Sequence, residues 1–440
     1  MRNGLVWLAA ALLLAAASTA AAEDLTLEKA IELALQQNQS LKQANYQAEA
    51  SNWTFARSLS GWLPHVTYDE TWSRVDPSTY NMEKKAAKLQ ALPGTSPEPV
   101  YQANLSKSIS VAQPIFNGLG EWVAIDSAYI NRSAAHWTDE DARLQTILNV
   151  KEAYFNALKT HALAEVSRES LTMSQEALRL YRGRYTVGQA MQSDVLRYEA
   201  QVAAAEGALI AADNNFALAK MALATLLGGP VEAEFTLPPI DLEVSAADLQ
   251  NAETASLAGV KTPLPIRAHP AVKAADTAND LATQQLAGAV GKLLPRINFT
   301  YNYNWATDAS VKPDGQTSWI MGVGVQIPLF QSGGAISGIG EQAKLQKATA
   351  EGVEQFERTF LQRAHTAQLN LASAQLRVVA ARKEVVSAKA DLDIIMRRAE
   401  LGMQTILDVL DSQVAWLQSQ SDLIGSVGDF RSAMAEWDYV

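Results

Sequence analysis

The chain repeats a long stretch of its own pattern, and this duplication limits the folds that are available to it. The matching positions keep two constant offsets, which coincidence does not readily produce over such distances. The chain is therefore expected to contain the same structural unit twice. Leu63-Pro64 matches Leu294-Pro295 at an offset of 231, and Pro114 and Gly188 match Pro328 and Gly402 at an offset of 214.

The duplication predicts a division of the chain into two repeats and a linker. Residues 23–227 form repeat 1, residues 267–440 form repeat 2, and the Gly- and Pro-containing segment 228–266 joins them. Each repeat is predicted to run as helix, β-hairpin, long helix and helix. The two hairpins are predicted at 64–114 and 295–328.

The first 22 residues have the layout of a secretory signal peptide. Arg2 supplies a positive charge, residues 5–17 form an apolar run, and three alanines at 20–22 resemble a cleavage site. We expect residues 1–22 to be removed on export. No later segment has the roughly 18 to 20 unbroken apolar residues that a membrane-spanning helix needs.

The hairpins show apolar side chains at every second position, which is the signal of a β-strand. Strands of about ten residues with aromatic side chains toward one end are typical of membrane strands, although a half-buried soluble sheet has the same alternation. Residues 76–99 and 308–317, which contain Pro, Gly and Asn, are expected to be loops. The alternating residues are Val66, Tyr68 and Trp72; Leu105, Ile109 and Val111; Ile297, Phe299, Tyr301, Tyr303 and Trp305; and Trp319, Met321, Val323, Val325 and Ile327.

The long helices show apolar or small residues at steps of three and four, which indicates coiled-coil packing. No proline occurs between 339 and 399, so one helix of roughly 60 residues and ~90 Å is expected there. The predicted seams are Leu371, Ala374, Val378, Ala381, Val385, Ala388, Leu392 and Ile395; Leu407, Leu410, Val414, Leu417, Ser421 and Ile424; and, in repeat 1, Ala157, Thr160, Ala164, Ser167, Leu171, Ser174, Leu178 and Tyr181.

Four candidate membrane strands per chain are too few to close a barrel. Lipid does not tolerate an open sheet edge, because each unpaired backbone group costs several kcal/mol there, and the smallest usual barrel has eight strands. Several copies are therefore expected to share one wall. Two copies give eight strands and a filled lumen, whereas three give twelve and leave room for a channel; the arithmetic alone does not choose between them.

Composition excludes several other functions. The 47 acidic and 36 basic residues give a net charge of −11, which is unfavourable for a nucleic-acid-binding protein. The absence of cysteine excludes thiol catalysis, and the five scattered histidines show no metal-ligand spacing. No phosphate-binding or nucleophile motif is present. We therefore predict no enzyme activity, metal or cofactor. An exported, non-conducting α-helical scaffold is the alternative to a membrane duct.

In the order and spacing of its motifs, the chain resembles the TolC-like outer membrane efflux proteins (outer membrane factors). The motifs are the Leu-Pro pairs before the hairpins, residues 113–116 and 327–330 after them, and the turns at 185–188 and 400–402 with their following Asp-containing segments. The resemblance implies a homotrimer in the outer membrane of a Gram-negative bacterium. It further implies a twelve-stranded β-barrel on a periplasmic α-helical tunnel, with segment 228–266 at the tunnel equator.

The resemblance also implies partners and a function. A periplasmic adaptor protein and an inner-membrane pump of the RND, ABC or MFS type would complete a tripartite efflux or type I secretion system. Transport energy would then come from the pump, so the chain itself would be a passive duct gated at its periplasmic end. The cargo, whether drugs, metals or proteins, is not indicated by any motif.

Asp408 and Asp411 are the gate residues that the resemblance implies. Their spacing alone predicts one solvated helix face near a helix start, where carboxylates interact favourably with the helix dipole. In a trimer with both residues facing the lumen, six carboxylates would form a ring. Like charges at such distances attract cations and raise one another's pKa.

Three further groups of residues receive roles from the resemblance. Ser193 and Asp194 occupy two positions of a latch that holds the closed state, but Gln404 stands where the family has Arg, and Ala399 where it has Tyr. How the closed state is held is therefore open. The adaptor-docking tips are Thr186, Val187, Gly188, Leu401 and Gly402, and the barrel–tunnel junction is formed by Pro64, Pro114, Pro295 and Pro328.

Overall fold

The computed structural model describes residues 24–91, 100, 102–230, 235–242, 265–308, 316–401 and 403–440. The predicted signal peptide, most of the linker and Gly402 lie outside the described residues. The helices are α1 (Leu27–Gln37), α2 (Gln39–Leu59), α3 (Pro77–Gln90), α4 (Gly120–Thr186), α5 (Gln192–Leu226), α6 (Pro270–Gly291), α7 (Gly334–Glu400) and α8 (Ile406–Tyr439). The strands are β1 (His65–Arg74), β2 (Ala103–Asn117), β3 (Arg296–Asp308) and β4 (Gln316–Gln326).

The mainly helical class with four strands and very long helices is confirmed. Helices α4 and α7 contain 67 residues each, which corresponds to about 100 Å. No α-helix in the described ranges combines the length and apolar character needed to cross a membrane. The described residues divide into two compact units, each drawing on both predicted repeats. Unit 1 lies within Met1–Tyr46, Trp137–Val272 and Phe356–Val440, and unit 2 within Gln47–His136 and Lys273–Gln355.

Unit 1 is built from the long helices and their shorter partners. Helix α4 packs against α1 and α5 through a cluster that includes Tyr154, Leu158 and Leu223. Helix α7 packs against α8 through Leu371, Val378 and others. The predicted seam of α7 is confirmed, because each of its eight residues is buried or half-buried. The repeat 1 seam on α4 is likewise buried or half-buried throughout.

The predicted seam of α8 is wrong in part. Leu407 and Val414 are exposed, and the face that packs within the chain is shifted around the helix. This face was not fully predicted from the sequence, because two of its buried residues are serines. Small polar residues at close helix contacts do not contribute to an apolar pattern. The buried residues of α8 are Val409, Leu410, Ser412, Trp416, Ser419, Leu423, Ile424, Val427, Gly428, Phe430, Ala435 and Tyr439, of which Leu410 and Ile424 belong to the predicted seam.

Unit 2 contains a four-stranded antiparallel sheet in the order β1-β2-β3-β4. Strands β2 and β3 come from different repeats, and their pairing joins the two predicted hairpins into one sheet. Strands β1 and β4 stand at its edges. One exposed row of backbone groups therefore remains on each side of the sheet.

One loop prediction and one predicted strand end need correction. The segment expected to be a loop at 76–99 contains helix α3, because Asp76 caps it by accepting the N–H groups of Ser78 and Thr79 at 2.8 and 3.1 Å. Pro77 stands at the first turn, where its missing N–H costs nothing. Pro114 lies inside β2 rather than at its end, at a bulge where a residue without an N–H is tolerated.

The passage from strand to long helix uses the same unusual backbone in both repeats. Gly118 and Leu119 have φ values of 57° and 70°, and Ser332 and Gly333 have 50° and 80°. Two consecutive left-handed residues thus precede each 67-residue helix, with the glycine at opposite positions of the pair. A residue with a Cβ pays about 1–2 kcal/mol in this conformation.

The exposed pair Ser332-Gly333 offers a reciprocal test of this geometry. We expect Ser332→Gly to raise the free energy of unfolding by about 1 kcal/mol, because it removes a strained Cβ. Gly333→Ser is expected to lower this free energy by about 1 kcal/mol, because a residue with a Cβ is strained at the positive φ of this position. A steric clash does not contribute, since nothing lies within 4 Å of a Cβ built there. Denaturant unfolding followed by circular dichroism measures both, and a shift of the same sign in the two variants would contradict the backbone assignment.

Candidate membrane sheet and gate region

The two faces of the sheet in unit 2 differ sharply in polarity. Alternation along each strand places apolar side chains on one face and short polar side chains on the other, and the register aligns them across all four strands. Ile320 is an apolar residue on the otherwise polar face. The apolar face consists of Val66, Tyr68, Trp72, Leu105, Ile109, Val111, Ile297, Phe299, Tyr301, Tyr303, Trp305, Trp319, Met321, Val323 and Val325. The polar face includes Thr67, Asp69, Thr71, Ser106, Ser108, Ser110, Thr300, Asn302, Asn304 and Ser318.

The apolar face is not covered by any other part of the described chain. Tyr68, Trp72, Trp319 and Val323 each expose more than half of their surface. A soluble protein rarely leaves so large a continuous apolar patch open to water, so this face is suited to contact with lipid or another protein.

Aromatic side chains concentrate toward one end of the apolar face, where β1 ends and β2 begins. Tyr303 pairs with Trp319 across strands, and Trp305 lies 5.4 Å from Tyr303 and 6.2 Å from Tyr68 between ring centroids. Aromatic girdles of this kind occupy the membrane–water interface of membrane sheets. A Glu70–Lys107 ion pair at 3.5 Å lies among these rings.

The junction between strands and helices depends on a contact that the sequence analysis missed. Gly118 and Gly291 approach so closely that a Cβ on Gly291 would lie 2.0 Å from the Gly118 carbonyl oxygen, and the reverse distance is 2.3 Å. This contact joins the end of α6 to the start of α4. No local signal marks it, because the two glycines lie far apart in the chain.

The predicted junction prolines occupy distinct positions near this contact. Pro64 and Pro295 stand directly before β1 and β3, and Pro328 follows the end of β4. Pro114 lies at the β2 bulge, where the neighbouring Gln113 donates its side-chain N–H to the Trp62 carbonyl at 2.8 Å. The four prolines therefore mark strand boundaries or a bulge in unit 2.

The tips of the long helices in unit 1 are built in the same way in both repeats. At the end of α4, Gly188 has φ 76°, and the Gln189 N–H donates to the Arg184 carbonyl at 2.8 Å. At the end of α7, the Met403 N–H donates to the Arg398 carbonyl at 2.9 Å. These are the bonds of a Schellman cap.

The residues predicted to dock the adaptor lie at or beside these caps. Thr186 is the last residue of α4, and Val187 and Leu401 are exposed. Gly188 supplies the left-handed cap. The exposed apolar side chains at both tips agree with a docking surface, although the cap alone explains why a glycine stands at 188.

Asp408 has a structural partner that its spacing did not reveal. It is the third residue of α8, and its carboxylate accepts the Thr405 N–H at 3.0 Å and the Thr405 hydroxyl at 2.6 Å. These hydrogen bonds hold the pKa of Asp408 below its usual value. The capping stabilisation is consequently present above the unfolded-state pKa of the carboxyl and is lost as the pH falls through the lower folded-state value. Asp411 is exposed.

Asp194 caps α5 in the same way. Its carboxylate accepts the Met191 N–H at 3.0 Å, so the predicted latch residue and the predicted gate residue Asp408 occupy equivalent positions in the two repeats. In the part of the chain that the structure describes, no hydrogen bond joins Asp194 to Gln404. Ser193 is exposed beside it.

The interior behind the tips contains residues that the sequence analysis did not single out as functional. The rings of Tyr181 and Tyr198 stack at 4.7 Å, and the Arg184 guanidinium lies 5.4 Å from the Tyr181 ring centroid. Burial, followed by the effect of Tyr181, raises the pKa of the Tyr198 hydroxyl. A cavity of about 340 Å³ between α4, α5, α7 and α8 opens beside this pair and is lined by Ala399.

No cluster of three or more potential metal ligands occurs within the described ranges of the chain.

Comparisons with known proteins agree with this architecture. The Outer membrane efflux protein family matches residues 30–229 and 266–436. The outer membrane efflux protein BepC of Brucella suis is 25% identical in an alignment 350 positions long, which covers 75% of this chain and 72% of BepC. The alkaline protease secretion protein AprF of Pseudomonas aeruginosa is 22% identical in an alignment 452 positions long, gaps included, which covers 99% of this chain and 88% of AprF.

Solved structures show the same fold. The outer membrane protein VceC of Vibrio cholerae has a TM-score of 0.75 at 19% identity, covering 93% of this chain and 94% of VceC. The CmeC outer membrane channel of Campylobacter jejuni has a TM-score of 0.76 at 16% identity, covering 94% and 84%. With both segments of the family matched on either side of the linker, the chain belongs to the outer membrane efflux protein family.

Proposed function

We propose that the chain is the outer-membrane duct of a tripartite efflux or type I secretion system. The observation that carries the proposal is the sheet in unit 2, with one uncovered apolar face, one polar face and two open edges. An apolar face toward lipid and a polar face toward a water-filled interior is the arrangement of a membrane channel wall. Open edges are not stable in lipid, so the wall must be completed by further copies.

The helices of unit 1 leave matching faces for the same assembly. The exposed side of α5 carries an apolar residue at every seventh position. These residues are Leu196, Ala203, Ile210 and Ala217. The exposed side of α7 carries a second apolar stripe, composed of Leu369, Leu376, Val379, Val386 and Ile394.

Different stripes on two helices favour a head-to-tail contact, in which α7 of one copy packs against α5 of the next. Such contacts close into a ring when the rotation between copies allows it. Three copies supply twelve strands and a lumen wide enough to conduct, whereas two copies supply eight and fill it with side chains. We propose a homotrimer on this ground and on the family's architecture.

The gate and docking roles follow from the same assembly. Asp408 and Asp411 would supply six carboxylates at the periplasmic constriction, and the exposed tips at Val187 and Leu401 would contact a periplasmic adaptor protein. An inner-membrane pump would supply the energy, since nothing in the chain indicates an energy-coupling site. The relatives named for efflux and for protease secretion support an export duct without indicating which cargo passes through this one.

Removal of the gate charges tests the proposed channel. We expect Asp408→Asn/Asp411→Asn to weaken block of the single-channel current by trivalent cations at least tenfold in planar lipid bilayers. Clustered carboxylates bind multivalent cations far more strongly than neutral amides do. The amide at 408 keeps an oxygen that can accept the Thr405 N–H, so the helix cap survives.

The matched control separates charge at the gate from charge elsewhere on the same helix. Asp422 is exposed on α8, and Asp422→Asn is expected to leave conductance and cation block unchanged. Unchanged block in the Asp408/Asp411 variant would remove these residues from the gate. A complete absence of ion flow with the unaltered chain would instead contradict the duct and favour the non-conducting scaffold.

A further inference from the structure

Helix α3, between the two strands of the first hairpin, is amphipathic with its apolar side turned to the outside. Met82 and Leu89 expose 66% and 87% of their surfaces. Together with Ala86 they follow a spacing of four and three residues, which places them on one helix face. The half-buried residues Tyr80 and Ala87 lie on the opposite side.

Two lysines border this exposed apolar face. Lys85 and Lys88 fall on one flank of the helix, and the single acidic residue within the helix, Glu83, falls on the other flank, whereas Lys84 lies on the opposite side with Tyr80. Within the described ranges none of the three ammonium groups forms an ion pair, and Lys84 lies 5.6 Å from the Tyr80 ring centroid. A helix with an apolar face beside lysines is typical of segments that lie in a membrane interface.

The position of α3 agrees with such an interface. The helix begins three residues after β1 ends, at the strand end where the aromatic side chains of the apolar face concentrate. The Val75 N–H donates to the Gln102 carbonyl at 2.9 Å and closes the hairpin at the base of α3. Arg74 adds a cation at this end of the apolar face, whereas the charge of Lys107 there is paired with Glu70. The Asp76 carboxylate is engaged in capping the helix.

We propose that α3 and the adjacent Arg74 form a binding surface for the phosphorylated glycolipid headgroups of the outer leaflet. This surface, the basic rim, consists of Arg74, Lys85 and Lys88. The ammonium groups match the phosphates in charge, and the stripe at Met82 and Leu89 matches the start of the acyl chains. The inference rests on the proposed function, because an outer-membrane duct of this orientation places the hairpin end in that leaflet.

The test measures the dissociation constant of bis-phosphorylated lipid A for the full chain, assembled in nonionic detergent. We expect Lys85→Gln/Lys88→Gln to raise this constant by about twenty-fivefold, at roughly fivefold for each lysine near an anionic lipid surface. The charge-preserving variant with arginine at both positions is expected to bind within about twofold of the unaltered chain. Added salt should reduce the difference, because it screens exposed charges.

The matched control removes two exposed lysines elsewhere, as Lys344→Gln/Lys347→Gln, and is expected to leave the dissociation constant unchanged. Equal binding by the α3 variant and the control would overturn the inference, as would equal affinity for dephosphorylated lipid A or for phosphatidylglycerol. Single-channel conductance of the α3 variant separates this result from the proposed function. If the chain conducts ions but shows no preference for the glycolipid, only the proposed binding surface is contradicted. If the unaltered chain does not conduct ions, the proposed channel function is contradicted.

Discussion

Replacing Leu376 with aspartate is expected to leave the purified chain as a monomer. Leu376 exposes 71% of its surface in the single chain and stands in the middle of the α7 stripe. In the proposed ring this side chain is buried against α5 of the next copy, where an unpaired carboxylate costs about 3–5 kcal/mol at each of the contacts. Sedimentation of the variant in detergent measures the effect directly.

Two further variants locate the contact. Ile210→Asp introduces the same charge into the α5 stripe and is expected to have the same result, because the two stripes face one another in a head-to-tail ring. Glu384→Lys changes the charge by twice as much on an exposed part of α7 outside the stripe, and it should leave assembly intact. Full assembly of both aspartate variants would contradict the proposed contact.

The second large effect is expected at the strand–helix junction. Gly291→Ala places a Cβ about 2 Å from the Gly118 carbonyl oxygen, so the backbones of α6 and of the segment before α4 must separate. Overpacking of this kind costs about 3 kcal/mol, and backbone atoms cannot relieve it by changing rotamer. Denaturant unfolding of the purified variant measures the loss.

A glycine in open space provides the control for this substitution. Gly352 lies within α7, and nothing is found within 4 Å of a Cβ built there. Gly352→Ala is expected to stabilise the chain by about 1 kcal/mol, because alanine is the better helix former. Equal destabilisation by the two alanines would show that the junction contact is not as close as the structure has it.

The elements that local pattern specifies were predictable from the sequence. The alternation along β3 and the three–four spacing along α7 arise because side chains at these spacings lie on the same face of a strand or a helix. The burial of Leu371 and Val378 confirms the predicted face of α7. The face of α8 was predicted only in part: Leu410 and Ile424 are buried as expected, but Ser412 and Ser419 occupy buried positions without an apolar signal. Helix α3 was missed because Pro and Gly around it outweighed the Asp76-Pro77 start.

The candidate site was predictable to a smaller extent. The positions of Asp194 and Asp408 were identified through the repeat, but their capping bonds depend on backbone geometry that spacing does not determine. The contact of Gly118 with Gly291 joins distant segments and has no local signature. The Tyr181–Tyr198 stack likewise brings two helices together, so no single stretch of sequence indicated it.

The mass of the purified assembly in detergent tests most directly the claim that several copies complete one channel wall. Native mass spectrometry or light scattering corrected for detergent should give three times the mass of the processed chain. The same material should conduct ions across a planar lipid bilayer. A water-soluble monomer without conductance would mean that the apolar sheet face and its two open edges serve some purpose other than a shared wall.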